Sequence, residues 1–176
     1  MTELILKILD FYFEKRLSPT VEDLWITDPS LLEQPGSVFV TLYKKGEVIG
    51  SAGNIKEIEW NLAEELISST LDALNDKRFE TITKTDLKNL KVRADVITER
   101  KILAKTEITS LDPVKAWVIA IKKDYSDLAV ILPNVSPQLI TGEDFYEALK
   151  FKLNEKKFEE KDHILYGIET RTENNF

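Results

Sequence analysis

The sequence contains no cysteine and only one histidine among its 176 residues. Without cysteine, the chain cannot use a thiol nucleophile, form a disulfide, or bind zinc or an iron–sulfur cluster through thiolates. The single histidine, His163, excludes a site made of several imidazoles, and the acidic residues are not spaced as metal ligands usually are. We therefore expect no bound metal and no cofactor.

Long apolar runs and an excess of positive charge are also absent. The longest apolar segments, residues 116–121 and 128–132, have the length of strands, whereas a membrane helix needs roughly 20 apolar residues. Charged residues interrupt the N-terminal segment 2–17, which therefore lacks the pattern of a signal peptide. The 24 lysines and arginines against 31 aspartates and glutamates give a net charge of −7, which opposes approach to nucleic-acid phosphates. These absences predict a cytoplasmic protein that binds neither membranes nor DNA.

Three segments have apolar residues at helical spacing, and each contains a residue suited to cap its start. The predicted helices, each with its cap, are residues 2–17 with Thr2, 61–75 with Asn61 and 141–155 with Thr141. Two further Thr-x-x-Asp patterns, Thr20 with Asp23 and Thr83 with Asp86, predict short helical turns.

Six segments predict β-strands: residues 37–44, 47–53, 91–97, 116–122, 128–132 and 163–170. Lys45-Gly46 predicts a tight hairpin turn between the first two. In the third strand, apolar residues alternate with Lys91, Arg93 and Asp95, which predicts that this charged face meets water. Residues 172–176 are expected to fray.

Hairpins outnumber strand–helix–strand units along the chain. This order indicates an α+β fold, in which a mostly antiparallel sheet is flanked by helices. No linker or repeat divides the sequence, so we expect a single domain over residues 1–176, built of one or two lobes.

The second predicted strand, residues 47–53, becomes glycine-rich at its end. Because Gly50 and Gly53 lack side chains, either another backbone packs closely against the strand or a ligand approaches its main chain. Ser51 lies between these glycines and is a candidate nucleophile, although His163 would have to serve as its base.

Residues 76–79 follow the most amphipathic predicted helix. In the simplest interpretation they end that helix and place Phe79 in the core. Alternatively, the helix packs on the sheet and Arg78 projects toward the glycine-rich strand, where it pairs with a carboxylate or binds an anionic ligand.

Lysines crowd the last predicted helix and the loop after it, and glutamates lie among them. Mixed charge is typical of a solvated face, and an RNA-binding face is the alternative. The lysines are Lys150, Lys152, Lys156, Lys157 and Lys161.

Taken in order, several of these segments resemble the AMMECR-domain family. Val38-Phe39-Val40-Thr41-Leu42, Lys45-Gly46-Glu47 and Ile49-Gly50-Ser51-Ala52-Gly53 are similar to its signature hairpin. Residues 74–79 with Ile82-Thr83 are similar to its Asp-x-Arg-Phe element, and residues 131–135 to its Leu-Pro-x-Val element. The resemblance extends from the first helix to about Tyr166.

The resemblance implies an α+β fold with a larger and a smaller lobe, and it implies no established reaction. Microbial members are associated with Memo-like and radical-SAM proteins, and an older suggestion connects the family with nucleic acids or translation. The residues that match the family motifs are Gly50, Gly53, Asp76, Arg78, Phe79 and Pro133.

The chain departs from the family pattern in the hairpin, which usually reads Leu-Arg-Gly-Cys-Ile-Gly. Ile49 stands at the arginine position and Ser51 at the cysteine position, so a cation and a thiol are both lost. We therefore expect a partner- or ligand-binding protein with a degenerate hairpin. The candidate site comprises Gly50, Ser51, Gly53, Asp76, Arg78, Phe79 and Pro133.

Two alternatives stay open. One is an enzyme subunit that has Asp76 and Arg78 in its site and works with Memo-like and radical-SAM proteins. The other is an RNA-associated module that uses the lysine-rich face of residues 150–161.

Overall fold

The computed structural model describes residues 1–112, 116–124, 127–133, 138–154, 159 and 161–176. The helices are α1 (Thr2–Lys15), α2 (Pro29–Leu32), α3 (Leu62–Leu74), α4 (Lys105–Ile108) and α5 (Gly142–Lys152), with a 3₁₀ helix at Lys84–Asn89. The strands are β1 (Val38–Lys44), β2 (Glu47–Gly53), β3 (Leu90–Leu103), β4 (Ala116–Lys122), β5 (Leu128–Ile131) and β6 (His163–Asn174). Within these residues, no helix combines the length and apolar character needed to cross a membrane.

The six strands form an antiparallel sheet in the order β2-β1-β3-β6-β4-β5. β1 pairs with both β2 and β3, and β4 pairs with both β5 and β6. With helices packed on antiparallel strands, the architecture confirms the predicted α+β class.

The chain divides into two compact units. Unit 1 comprises residues 1–97 together with 171–176, and unit 2 comprises residues 98–170. In unit 1, buried residues of α1 and α3 form a core with those of β1 and β3. In unit 2, buried residues of α5 form a core with those of β4 and β5. Each core buries the apolar stripe of its helices, as an amphipathic sequence requires.

Short sequence patterns, such as helix caps and turn residues, correctly predicted most elements of unit 1. The Asn61 side chain accepts a hydrogen bond from the Glu64 amide at 2.9 Å and begins α3 as predicted. Lys45 and Gly46 have φ values of 55° and 85°, which suit the tight turn between β1 and β2.

The predicted cap of α1 is wrong, because Thr2 is already helical and its side chain makes no capping bond. The Met1 ammonium, which precedes α1, instead pairs with Glu173 at 2.9 Å.

The predicted wet face of the third strand is also wrong. Asp95 is fully buried, and Arg93 is 8% exposed. The two side chains pair at 2.7 and 2.8 Å, and the Thr172 hydroxyl donates a further hydrogen bond to Asp95. Arg93 lies opposite Thr41 and Asp95 lies opposite Phe39 on β1, and both of these β1 residues are buried. The face is therefore covered, and the charges are tolerated because they are paired.

The predicted fraying of residues 172–176 is wrong as well. β6 continues to Asn174. The Asn175 side chain accepts a hydrogen bond from the Val92 amide at 2.8 Å, and the Phe176 ring lies edge-on to Tyr43 with centroids 5.2 Å apart. We call residues 171–176 the C-terminal strap, because they return to unit 1 and bind it through β6 pairing and side-chain contacts.

Candidate functional site

The glycines of β2 are explained by close approach of the protein's own backbone. A Cβ atom on Gly50 would lie 2.1 Å from the Ala73 carbonyl oxygen at the end of α3. A Cβ atom on Gly53 would lie 2.4 Å from the Val38 carbonyl oxygen on β1. Both positions therefore serve packing, and the approaching group is protein rather than ligand.

Close packing of α3 on β2 positions the residues that follow the helix. The helix ends at Leu74, and the next turn is closed by a hydrogen bond of 3.1 Å from the Phe79 amide to the Asp76 carbonyl. The Arg78 amide donates to the Asp76 carboxylate at 3.1 Å, which fixes the turn locally. This turn places Asp76 and Arg78 at the outer edge of β2.

Asp76 and Arg78 bind both outward-facing backbone groups of Ser51. The Ser51 amide donates to Asp76 Oδ2 at 3.0 Å, and Arg78 Nη2 donates to the Ser51 carbonyl at 2.9 Å. Since β2 is at an edge of the sheet, these side chains occupy the place that a further strand would take. We call Ser51, Asp76 and Arg78 the edge cluster.

The Asp76 carboxylate holds the guanidinium of Arg78 through two hydrogen bonds. Arg78 Nε donates to Oδ1 at 2.9 Å and Nη2 donates to Oδ2 at 2.6 Å. The hydrogen bond from Arg78, together with the one from the Ser51 amide, lowers the pKa of Asp76 to about 2. The same pairing raises the pKa of Arg78. The pair is therefore ionised over the physiological range.

The two partners differ in their access to water. The Asp76 side chain is 8% exposed, whereas the Arg78 side chain is 67% exposed. The guanidinium lies 5.5 Å from the centroid of the Phe79 ring, and Phe79 is itself 37% exposed. Among the described residues, no group binds Arg78 Nη1, so one edge of a fixed cation faces outward beside an aromatic ring.

The Ser51 side chain lies on the opposite face of β2 from α3. Its hydroxyl is 3.2 Å from that of Thr41, and Ser51, Thr41 and Arg93 form a row across three strands. Within the part of the chain that the structure describes, the Ser51 hydroxyl meets no base, so its environment does not activate it as a nucleophile. His163, which the nucleophile hypothesis required as a base, is buried at the start of β6 in unit 2, where its Nδ1 is 3.0 Å from the Glu159 carbonyl oxygen.

The structure thus brings together five of the seven predicted site residues at one strand edge: Gly50, Ser51, Asp76, Arg78 and Phe79. Gly53 lies two residues further along β2 and packs on β1. Pro133 is a buried residue of unit 2. No three Asp, Glu or His side chains within the described ranges come together in a way that could hold a metal ion.

Sequence reasoning missed the buried pair of Arg93 and Asp95 beside the Ser51 row. Burial raises the pKa of Tyr43, which hydrogen-bonds Arg93 on the same face. One signal was available, because both faces of β1 carry bulky residues. A neighbouring strand of such a strand is covered on both faces too, and its charges must then be paired.

Comparison with known proteins identifies the family. Protein CA_C1420 of Clostridium acetobutylicum is 36% identical over 99 residues, which are 56% of this chain and 20% of that protein. The match thus spans a fifth of that relative's length. The crystal structure of the uncharacterized protein PH0010 from Pyrococcus horikoshii has the same fold, with a TM-score of 0.79 over 97% of this chain and 87% of that chain, at 19% identity. The model of the AMMECR1 family matches residues 4–168, and the chain is therefore a member of that family.

Proposed function

We propose that this AMMECR1-family chain is a binding protein that takes an anionic group of a partner or ligand at the edge cluster. The observation that carries the proposal is the state of Arg78, whose side chain is 67% exposed and yet held by three hydrogen bonds. An exposed arginine ordinarily loses side-chain entropy when it binds. In this protein the Arg78 side chain is already ordered before any ligand binds, so binding costs less side-chain entropy. This favours recognition of a carboxylate or phosphate.

The geometry supports binding more than covalent catalysis. Arg78 Nη1 supplies donors for a charge-assisted hydrogen bond, and the Phe79 ring supplies an apolar surface beside it. The Ser51 hydroxyl has Thr41 as its neighbour rather than a base. Among the described residues, the site therefore offers orientation and charge, and its carboxylate, Asp76, is already bound by Arg78 and the Ser51 amide.

The test is calorimetric titration of the chain with phosphate, acetate and a short peptide that ends in a free carboxylate. We expect Arg78→Gln to weaken binding by at least about tenfold, because a charge-assisted hydrogen bond is lost. Arg171→Gln removes another exposed arginine and is the matched control. If both variants bind the anions as the unmodified chain does, the proposal fails.

A melting experiment separates this role from a purely structural one. If Arg78 only protects the strand edge, Arg78→Gln should clearly lower the melting temperature. The affinity of the chain for anions should then stay unchanged, because other groups bind them. If Arg78 recognises a ligand, added anion should raise the melting temperature of the unmodified chain and not that of the variant.

A second candidate is a subunit that works with a Memo-like or radical-SAM protein. Its support is that four fifths of the Clostridium acetobutylicum relative lies outside the matched segment, so a domain of this kind occurs joined to further chain. The test is co-elution of purified chain with each type of protein in gel filtration. A complex that Arg78→Gln abolishes would support this candidate, whereas separate elution with both would exclude it.

The RNA alternative gains less support from the lysine-rich face. Lys150 pairs with Glu147, Lys152 donates to the Val130 carbonyl, and Lys161 pairs with Glu159. Lys156 and Lys157 lie outside the described residues. The described lysines are thus engaged within the protein, and a backbone-binding stripe needs them free.

A further inference from the structure

A groove of about 520 Å³ runs between the turn that follows α1 and the outer face of α3. Its apolar lining comes from both sides: Pro19, Val21, Ile67 and Leu71. Its carboxylates are Glu22, Glu59, Glu64 and Asp72. Of the described residues that line it, none is a lysine or an arginine.

Both walls of this groove are held by hydrogen bonds. On one side, Thr20 and Asp23 cap each other, with the Asp23 carboxylate accepting from the Thr20 amide at 2.9 Å. On the other side, the fully buried Glu65 accepts from the amides of Ile58 and Glu59 at 3.2 and 3.1 Å. The groove is therefore preformed, which lowers the entropy lost when something binds in it.

The charge of the groove is not balanced by the protein itself. Within the described residues, none of its four carboxylates forms an ion pair. Glu64 Oε2 is also shielded from solvent without a hydrogen-bond donor. A carboxylate with one shielded oxygen that has no donor is unfavourable, and a cation that pairs with the other oxygen, Oε1, would stabilise its charge.

Large apolar side chains stand next to the groove residues and point into solvent. Leu17 precedes Ser18 and is 65% exposed, while Ile58 and Trp60 flank Glu59 and are 67% and 88% exposed. Tryptophan is enriched at the centres of protein interfaces, and its ring also attracts cations. Exposed apolar side chains that neighbour the residues of an apolar groove in sequence are typical of a surface that contacts a partner.

We propose that this groove docks a basic, amphipathic segment of a protein partner. Lysine or arginine side chains of the segment pair with Glu22, Glu64 and Asp72, and its apolar side chains cover the lining formed by Ile67 and Leu71. The opposite charge distinguishes this surface from the edge cluster, and the proposal does not depend on the function proposed there. The acidic walls also exclude nucleic acid as the occupant.

The test uses a fluorescein-labelled helical peptide of about 14 residues composed of leucine and lysine, with the leucines on one face. Its anisotropy is followed during titration with the full chain at about 50 mM NaCl and about 500 mM NaCl. We expect the double variant Glu22→Lys/Asp72→Lys to weaken binding by at least about tenfold at the lower salt. Glu47→Lys/Glu99→Lys changes the net charge equally at exposed sites outside the groove, and should weaken binding less than about threefold.

The matched pair distinguishes a groove from general attraction to a chain of charge −7. Equal weakening by both double variants would overturn the proposal, as would absence of binding by the leucine–lysine peptide. Equal binding of a peptide with glutamate in place of lysine would overturn it too. Competition by spermine as strong as competition by unlabelled peptide would assign the groove to a small cation instead. Arg78→Gln should leave peptide binding unchanged, which keeps this test independent of the edge cluster.

Discussion

Asp76 joins the edge cluster together, because its carboxylate binds both the Ser51 amide and Arg78. Its pKa lies at about 2, below the ordinary value of 3.8, chiefly because of the hydrogen bond from Arg78. A carboxylate with a lowered pKa stabilises the fold above its unfolded pKa, and that contribution is lost as the pH falls through the folded pKa. The contribution should therefore be complete above about pH 5 and be lost progressively between about pH 5 and pH 1.

We expect Asp76→Asn to lower the free energy of unfolding by about 1–2 kcal/mol at pH 7, a value reduced because solvent screens the exposed arginine. The difference from the unmodified chain should shrink to nearly zero by about pH 1. Urea denaturation at several pH values measures it. Asp72→Asn, at an exposed position, should change the free energy by less than about 0.5 kcal/mol at pH 7. A difference for Asp76→Asn that stayed undiminished down to about pH 1 would contradict this account.

Gly50 and Gly46 differ in the reason that each is glycine. Gly50→Ala places a Cβ atom against the Ala73 carbonyl, and we expect a loss of about 3 kcal/mol from overpacking. Gly46→Ala meets no atom within 4 Å, and its φ of 85° should cost only about 1 kcal/mol. Thermal unfolding of both variants measures the two losses. Equal losses would show that α3 does not pack on β2 as closely as described.

At the residue scale, the sequence located the edge cluster through patterns that are local or nearly so. The apolar stripe of α3 required packing on the sheet, and Arg78, four residues beyond the helix end, then had to lie near β2. The identity of the group that approaches Gly50 could not be predicted, because it depends on which backbone atom of α3 faces the strand. Pro133 belongs to the predicted site only through the family motif, because no local pattern in the sequence connects it with residues 50–79.

Whole elements of the chain were predictable where hydrogen bonds within a few residues define them. The Thr83–Asp86 and Thr141–Asp144 boxes both form, and the hairpin of β1 and β2 has its turn at the predicted residues. β3 was predicted less well, because burial of Arg93 and Asp95 depends on groups from β1 and the C-terminal strap. Alternation of apolar and polar residues in a strand shows that its two faces differ in polarity. It does not show that the polar face is exposed to water.

The buried pair on β3 gives a prediction at this scale. Asp95→Ala leaves Arg93 buried without its counter-ion, and we expect a loss of about 3–5 kcal/mol in the free energy of unfolding. Arg93→Met/Asp95→Leu removes both charges, and its stability should return to within about 1–2 kcal/mol of the unmodified chain. Denaturant unfolding of the single and double variants measures this. If the double variant is as unstable as the single one, the pair does more than balance charge.

At the scale of the whole molecule, unit 1 is discontinuous in sequence. The C-terminal strap supplies Thr172 to Asp95, Glu173 to the Met1 ammonium and Asn175 to Val92. A chain that ends at Thr170 should therefore lose at least about 3 kcal/mol of stability. The corresponding fall in melting temperature is about 6–12 °C for a protein of this size.

A single substitution controls for the effect of the last side chain alone. Phe176 is 65% exposed, and Phe176→Ala should reduce the free energy of unfolding by less than about 1 kcal/mol. Calorimetry of both proteins makes the comparison. An unchanged melting temperature after removal of residues 171–176 would mean that the strap is bound but contributes no stability.

The return of the C-terminal strap also has a consequence for the order of biosynthesis. Residues 171–176 are translated only after all of unit 2, residues 98–170, has been made. Domains ordinarily fold in the order in which they are synthesised, at about 5–20 residues per second. Here the earlier unit lacks Thr172 and Asn175 until the later unit has been translated. A ribosome stalled within unit 2 should consequently present unit 1 as a protease-sensitive nascent chain that becomes resistant only after residues 171–176 have been made and have left the ribosome.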